Sequence, residues 1–375
     1  MKVLVVLTQP PLPEGGAPGR CAIGLLRGLI AHGVEVKAVA ARRHFSLPGQ
    51  PPADLPVEVV DLPAELSTWR SRVDRLRRPG GELSVPVFAE RVRDAAREVD
   101  LIHLEETETA WCDIALDIPS LVHIHYLVRR DRPFGAPWRP QFRHGLELHL
   151  AERVAIRRHH YLVASSPLIA DRLKRSAPLA HVVRAPLSLD PRYYTRAPLA
   201  GPPVAGIIGT AHWPPTAAAI RTLAESVWPE IRRLVPAARL VVAGRGTDGL
   251  GLSSGPGVEC LGEVASGAEF LRGLSLLLFP LPRGSGMKVK VLEAMAVGLP
   301  VVTTPAGAEG IDPDPGVLVA SDPSELARAA SAILLDEGER RERGASARAL
   351  FERRFTPLPA TEPLLGLYAR MVRAA

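Results

Sequence analysis

The stretch Phe279-Pro-Leu-Pro-Arg-Gly-Ser-Gly-Met-Lys-Val-Lys-Val-Leu-Glu-Ala-Met-Ala-Val-Gly-Leu-Pro-Val-Val-Thr303 decides how this chain is read. It begins with the end of an apolar run, Ser275–Phe279, and finishes in another, Pro300–Thr303. Between them Val289 to Val297 reads as a helix closed by Gly298, with Pro300 just beyond. The loop Gly284-Ser285-Gly286 and the adjoining Met287 leave backbone amides at a helix N-terminus, where the helix dipole favours an anion. Lys288 and Lys290 stand in or beside the first turn, with Arg283 just before it. Cations there oppose the dipole unless something negative sits among them. Two of only five lysines in the chain fall here, which points to a diphosphate. Glu293, three residues after Lys290, shares its helix face, and a carboxylate there can accept the hydroxyls of a ribose. The residue types fit equally well a solvated loop with a weak Lys290–Glu293 surface pair.

Outward from this segment, short apolar runs alternate with helix-like stretches. They are Val3–Leu7, Val34–Ala40, Val57–Val60, Leu101–Leu104, Ser120–Ile124, Tyr161–Ala164 and His181–Val183, then Val204–Ile208, Arg239–Ala243, Val258–Leu261, Ser275–Phe279, Pro300–Thr303 and Val317–Val319. Most are continuously apolar, as parallel strands covered on both faces are. Helix signals lie between them: Ile23, Leu26 and Ile30 at helical spacing before Gly33, and Asp322-Pro323 as an N-cap with proline at the first position. The expected fold class is α/β, with two Rossmann-like, doubly wound parallel-sheet domains facing a cleft. The Pro/Gly stretch from Thr195 to Pro203 is the expected boundary. It gives an N-terminal domain of 1–195 and a C-terminal domain of 196–356, with a final helix at about 357–375 crossing back to the first.

At 375 residues and 46% apolar composition the chain can bury two cores, which excludes wholesale disorder. A net charge of +6 permits an anionic partner without demanding nucleic acid. Cys21, Cys112 and Cys260 are widely spaced, so neither a disulfide framework nor a structural zinc site is expected, and a cytoplasmic setting fits. No stretch is long and apolar enough to span a bilayer, and the first apolar run is too short for a signal sequence.

The central segment resembles the donor-binding region of retaining, family-four (group 1) GT-B glycosyltransferases, and more narrowly the bacterial exopolysaccharide and PEP-CTERM-associated sugar transferases. The matching residues are Gly284, Gly286, Lys288, Lys290, Glu293-Ala294-Met295-Ala296, Pro300-Val301-Val302, Thr304 and Gly307-Ala308-Glu309-Gly310. Pro10-Pro11-Leu-Pro-Glu-Gly15-Gly16 is similar to the family's glycine-rich first loop. Gly209-Thr-Ala-His-Trp213-Pro-Pro215 is similar to the opening of its second domain, and Val241-Val-Ala-Gly244-Arg-Gly246 to the strand end beside the nucleoside. Three features depart from the family pattern. Ser285 stands where many relatives carry a first glutamate, and Gly209 to Thr216 contains no cation, so Lys288 and Lys290 are expected to neutralise the donor phosphates instead. In Arg184 to Asp190, Leu187 and Ser188 replace the Asn-Gly of the family's turn.

The resemblance implies a retaining, hexosyltransferase-like and metal-independent enzyme. It would move a sugar from a nucleotide-diphospho-sugar to the hydroxyl of a glycan, a lipid-linked or a small-molecule acceptor, with no resident cofactor. Lys288, Lys290 and His125 are the implied catalytic residues. Gly15, Gly16, Gly209, Gly284, Ser285, Gly286, Met287, Glu293 and Glu309 are the implied donor-binding ones. His125 aligns with a family histidine near the sugar ring. On its own terms, Leu121-Val-His123-Ile-His125 is a strand with both histidines on one face near its C-terminal end, which a pair of satisfied core histidines would match as well. No third ligand at familiar spacing accompanies them, and His144, His149, His159 and His160 are expected on helix surfaces.

The acidic cluster Glu105-Glu106-x-Glu108 follows another strand end, where it would touch acceptor hydroxyls or, as its composition favours, lie in a solvated loop. Arginines at 70–78, at 129–132 and at 139, 143, 153, 157 and 158 would suit an anionic membrane surface, giving possible peripheral contact, or an ordinary balanced surface. A nucleotide-sugar epimerase on the same fold and a non-catalytic nucleotide-sugar-binding partner in a polysaccharide locus remain alternatives. A nicotinamide dehydrogenase is disfavoured, because no Gly-x-Gly-x-x-Gly follows the first strand.

Overall fold

The computed structural model describes residues 1–44, 46–63, 80, 83, 85–113, 116–132, 140–252 and 257–374. The chain divides into two compact units, Met1–Ser188 with Thr356–Ala375, and Leu189–Phe355. Each is an α/β layer structure built on one parallel sheet.

In the first unit the strands are β1 (Lys2–Leu7), β2 (Glu35–Arg42), β3 (Val57–Asp61), β4 (Leu101–Glu105), β5 (Ser120–Ile124), β6 (Tyr161–Ala164) and β7 (His181–Arg184). Among the described residues they form one sheet in the order β3-β2-β1-β4-β5-β6-β7, all pairs parallel. Val3 to Leu7 are sealed from water, as a strand covered on both faces must be. The strand order reverses between β1 and β4, and in such sheets ligands bind beyond the strand C-termini at that point.

Helix α1 (Ala17–Ala31) follows β1, and Gly33 closes it with φ +76°. Ile30, expected on its apolar face, is exposed. The next helices are α2 (Pro86–Ala96), α3 (Val128–Asp131), α4 (Pro140–Arg158) and α5 (Pro167–Ser176). The last helix of the chain, α12 (Pro357–Ala374), belongs to this unit and packs on α1. Gly28 makes that approach possible: a Cβ there would stand 2.3 Å from the Pro357 carbonyl oxygen and 2.5 Å from Thr361 Oγ1.

In the second unit β8 (Val204–Ile208), β9 (Arg239–Ala243), β10 (Val258–Gly262), β11 (Leu276–Phe279), β12 (Val301–Thr303) and β13 (Val317–Val319) form a parallel sheet ordered β10-β9-β8-β11-β12-β13. Its order reverses between β8 and β11. Helix α6 (Pro214–Thr222) runs through a π turn at Leu223–Val227 into α7 (Trp228–Leu234). Pro229, which has no amide hydrogen to give the regular ladder, lies just past the widened turn. Then come α8 (Gly267–Arg272), α9 (Val289–Ala296), α10 (Pro323–Leu335) and α11 (Glu337–Arg354). Asp322 caps α10 through the amides of Ser324 and Glu325.

The Pro/Gly stretch 195–203 lies inside this unit, and the chain leaves the first unit at Ser188. Buried polar contacts hold the stretch there. The Ala197 amide donates to Val297 O at 2.7 Å, and the buried Arg340 guanidinium donates to Leu199 O at 3.3 Å and Gly201 O at 3.4 Å.

Candidate functional site

The C-terminal ends of β8 and β11 carry the first group of implied donor-binding residues. Lys288 is the N-cap of α9 and brings no side-chain cap to it. Its ammonium turns back onto the preceding loop, donating to Ser285 O at 2.8 Å and to Gly286 O. Gly286 adopts φ +70°, a conformation that disfavours any residue with a Cβ. Ser285 and Met287 are buried, and Lys288 and Lys290 are half-buried. The bland alternative of a solvated loop is therefore not what forms.

Lys290 reaches across to β8. A Cβ on Gly209 would stand 2.4 Å from Lys290 Cε and 2.6 Å from Thr216 Cγ2, so the lysine stem occupies the space that glycine leaves open. Gly209 itself packs under Gly244, whose missing Cβ would fall 2.2 Å from Gly209 O. Lys290 thus brings a cation to the end of β8, the place where the sequence between Gly209 and Thr216 has none. Glu293, one turn along α9, is buried and accepts from Tyr194 Oη at 3.1 Å. Glu309 is half-buried in the loop after β12. That loop is tied down by Thr303 Oγ1 donating to Phe279 O at 2.6 Å and Thr304 Oγ1 donating to Leu281 O at 2.5 Å.

The first unit carries the remaining implied residues around the end of β1. Gly16 is the N-cap of α1, with no side-chain cap, and Arg20 donates to Gly15 O. His125 lies one residue past β5, buried. The acidic cluster departs from expectation. Glu105 and Glu106 are buried, only Glu108 of the three is half-buried, and the cluster closes β4. The reason is the register: β4 and β5 pair in parallel with Glu105 beside His123, so the acid meets histidines rather than water.

One oxygen of Glu105, Oε1, accepts from His103 Nε2 at 2.8 Å and from His123 Nδ1 at 3.0 Å. The other, Oε2, faces His125 Nε2 at 2.9 Å, off the line of a hydrogen bond. His103 Nδ1 in turn meets Tyr368 Oη of α12 at 2.5 Å. His103, Glu105 and His123 each present a ring nitrogen or carboxylate oxygen, and these atoms lie within 4.8 Å of one another. In a tetrahedral zinc site with ~2.0–2.1 Å bonds, ligand atoms stand roughly 3.3–3.4 Å apart. The contacts here are shorter, at hydrogen-bond length, and the group reads as a hydrogen-bonded cluster.

Burial pushes the Glu105 carboxyl up, but the His125 and His123 rings and the hydrogen bonds from His103 and His123 outweigh it and hold it well below the usual range. Burial lowers His123 to about 4, against the pull of Glu105. Burial also opposes the charged form of His125, yet Glu105, Glu106 and Glu108 together raise it above an ordinary imidazole. Glu106 is raised to about 7, by burial first and then by Glu108, despite His125 and the hydrogen bond from Thr8 Oγ1. Its backbone, at φ +65° and ψ 161°, is strained for a residue with a side chain, and such strain concentrates at functional sites.

Sequence reading missed His103 and Tyr368, and it favoured a solvated loop for Glu105, which is buried. A signal for His103 and Glu105 was present: His103-x-Glu105 and His123-x-His125 are polar pairs at period two, at the ends of otherwise apolar strands. His159, expected on a surface, is buried and pairs through Nε2 with Asp113 Oδ2 at 3.0 Å. The arginines at 70–78 and Arg139 lie outside the described residues. Among the described residues, no helix is long and apolar enough to cross a membrane.

Residues 202–336 match the family described as glycosyl transferases group 1. The matched span falls within the second unit and contains Gly209, the 284–287 loop, Lys288, Lys290, Glu293 and Glu309. No curated protein matches the chain. Among solved structures, a sucrose-phosphate synthase from Thermosynechococcus elongatus is similar over 100% of both chains, at 17% identity and TM-score 0.73. Anabaena HepE in complex with UDP and glucose is similar over 98% of this chain and 99% of that one, at 19% identity and TM-score 0.64. The catalytic domain of Arabidopsis thaliana starch synthase IV, bound to ADP and acarbose, is similar over 99% of each, at 13% identity and TM-score 0.70. At these identities the likeness is one of fold. The two parallel-sheet α/β units are those of the GT-B class expected from the sequence.

Proposed function

We propose that the protein is a retaining glycosyltransferase that moves a sugar from a nucleotide-diphospho-sugar to an acceptor hydroxyl. The observation that carries this reading is Lys290 lying across Gly209 at the reversal point of the second sheet, beside the Gly284–Gly286 loop and the N-terminus of α9. The family match over the same residues supports it, as do UDP and ADP in the similar structures.

When the donor's glycosidic bond breaks, negative charge grows on the departing diphosphate. The amides of the 284–287 loop, the α9 dipole, Lys288 and Lys290 stabilise that charge in place, as an oxyanion hole does in acyl transfer. Fixed cations and dipoles make this chemistry independent of a metal. Glu293, steadied by Tyr194, binds the ribose hydroxyls, and Glu309 and Met287 line the donor. In the first unit, the loop at Gly15 and Gly16 before α1 suits a phosphate oxygen, and the His125 ring suits a hydroxyl. The donor is a consumed substrate, so no resident cofactor is required. The acceptor is a glycan, a lipid-linked glycan or a small hydroxyl compound, and the Arg-bearing helices α3 and α4 suit a protein working at an anionic inner-membrane surface.

The test is transfer from a panel of UDP-, GDP- and ADP-sugars in wild type, Lys288→Ala and Lys290→Ala. Each lysine variant is expected to lose turnover by about 10²-fold or more, the scale of removing one preorganised charge-stabilising donor. Unchanged donor affinity and turnover in both variants would overturn the reading. Isomerisation of the donor sugar without an acceptor would replace it with an epimerase.

A further inference from the structure

We propose that Glu105 is a positioning residue for His125: His103 and His123 anchor one of its carboxylate oxygens, and the other faces the His125 ring and fixes where that ring sits. The inference rests on the role proposed for His125 in transfer, and it adds a residue that the sequence placed in solvent.

Geometry carries it. Glu105 ends β4 in register with His123, and His125, two residues on from His123, brings its ring to the same carboxylate. Oε1 of Glu105 is committed to His103 Nε2 and His123 Nδ1. Its orientation is therefore determined before His125 is considered, and Oε2 faces His125 Nε2 at 2.9 Å. The His123 ring closes the other side, edge-on to His125 with centroids 4.6 Å apart. The anchor extends to α12, whose Tyr368 Oη meets the far nitrogen of His103. Ser165 Oγ, just past β6, holds the His125 carbonyl oxygen at 3.1 Å.

Charge follows the same order. A buried carboxylate surrounded by three imidazoles is balanced by one proton among them. His123 is kept neutral by burial. The groups that face His125 are Glu105, Glu106 and Glu108 from β4 and the turn after it, and His123 from its own strand. The carboxylates among them favour the charged form of His125 and raise its ionisation above that of an ordinary imidazole, against the cost of burial. A fixed ring with a favoured charged form, one residue past β5 and one strand from the sheet's reversal point, is suited to hold a sugar or phosphate oxygen. Without Glu105 the same ring would be free to turn and to lose its proton.

The experiment uses the full chain, with histidine ring nitrogens labelled with nitrogen-15 and followed by NMR against pH, alongside steady-state kinetics. In wild type, His125 is expected to titrate above an ordinary imidazole. Glu105→Gln should lower that titration point and reduce kcat at least tenfold, while donor KM stays within about twofold, and the pH–rate profile should shift with it. In a His125→Asn background, Glu105→Gln should cost less than a further twofold, because a residue that acts only through His125 has nothing left to position. Losses that multiply, or a His125 titration that Glu105→Gln leaves in place, would overturn the proposal. Should Glu105→Gln fail to fold, the wild-type titration decides alone: His125 ionising at or below the ordinary imidazole value refutes it. The NMR readout needs no turnover, so a protein that transfers no sugar would remove the functional reading while leaving the positioning of His125 open to confirmation or refutation.

Discussion

Replacing Glu106 with Gln should stabilise the protein at alkaline pH. The carboxyl titrates near 4.5 in an unfolded chain and at about 7 in the fold. Between those values the folded state holds a proton that the unfolded state has released. Stability therefore falls as pH rises through the window, and above pH 7 the full cost is present. Moving the carboxyl from 4.5 to about 7 costs the folded, ionised state roughly 3 kcal/mol. Glutamine is neutral at every pH and can still accept from Thr8, so Glu106→Gln should match wild type near pH 4.5 and exceed it by about 3 kcal/mol at pH 8. For a domain of roughly 200 residues that is a rise in Tm of about 6–12 °C.

His123 sharpens the test. Its folded value of about 4 lies below the ordinary 6.5, so between those values the unfolded state binds the extra proton and stability rises with pH. In wild type this opposes the Glu106 effect between pH 4.5 and 6.5 and flattens the profile. The variant removes the opposition, and its stability should climb through that range. The assay is urea and thermal unfolding at half-unit pH steps, followed by circular dichroism and by the fluorescence of Trp111, buried in the first core. A Glu106→Gln protein no more stable than wild type at pH 8, or one offset by the same amount at every pH, would refute the reasoning.

Gly28→Ala should destabilise the protein by about 1–3 kcal/mol through overpacking against Pro357 and Thr361, although alanine is the better helix former by ~1 kcal/mol; a higher Tm in the variant would contradict the close packing of α12 on α1. Gly209→Ala should weaken nucleoside-diphosphate binding by displacing the Lys290 stem, measured by calorimetry, while circular dichroism stays native. A nucleoside diphosphate at a hundredfold over its Kd should stabilise the fold by about 2.7 kcal/mol, and Lys290→Ala should need a higher concentration for the same thermal shift. Glu293→Gln should raise donor KM more than it lowers kcat; the reverse split would remove the ribose role.

The sequence alone determined the sheet strands and the loop after β11. Most of the thirteen short runs are legible because a central strand covered on both faces has few polar positions to interrupt it, while the edge strands β3, β7 and β10 are partly exposed; the Gly–Lys–Lys–Glu spacing is legible because its members are neighbours along one turn of chain. Parallel pairing, not local spacing, decided the rest. Glu105 and His123 are adjacent only because β4 and β5 align in register, and Tyr368 reaches His103 only because α12 returns to the first unit. A glutamate two residues after a buried histidine looks like the start of a loop when read along the chain. Its burial is favourable only when hydrogen-bond donors from distant segments surround it, and that condition belongs to tertiary structure. In the same way the chain's own letters place a lysine on α9, while the empty side of Gly209, across the sheet, decides where its ammonium stem can lie.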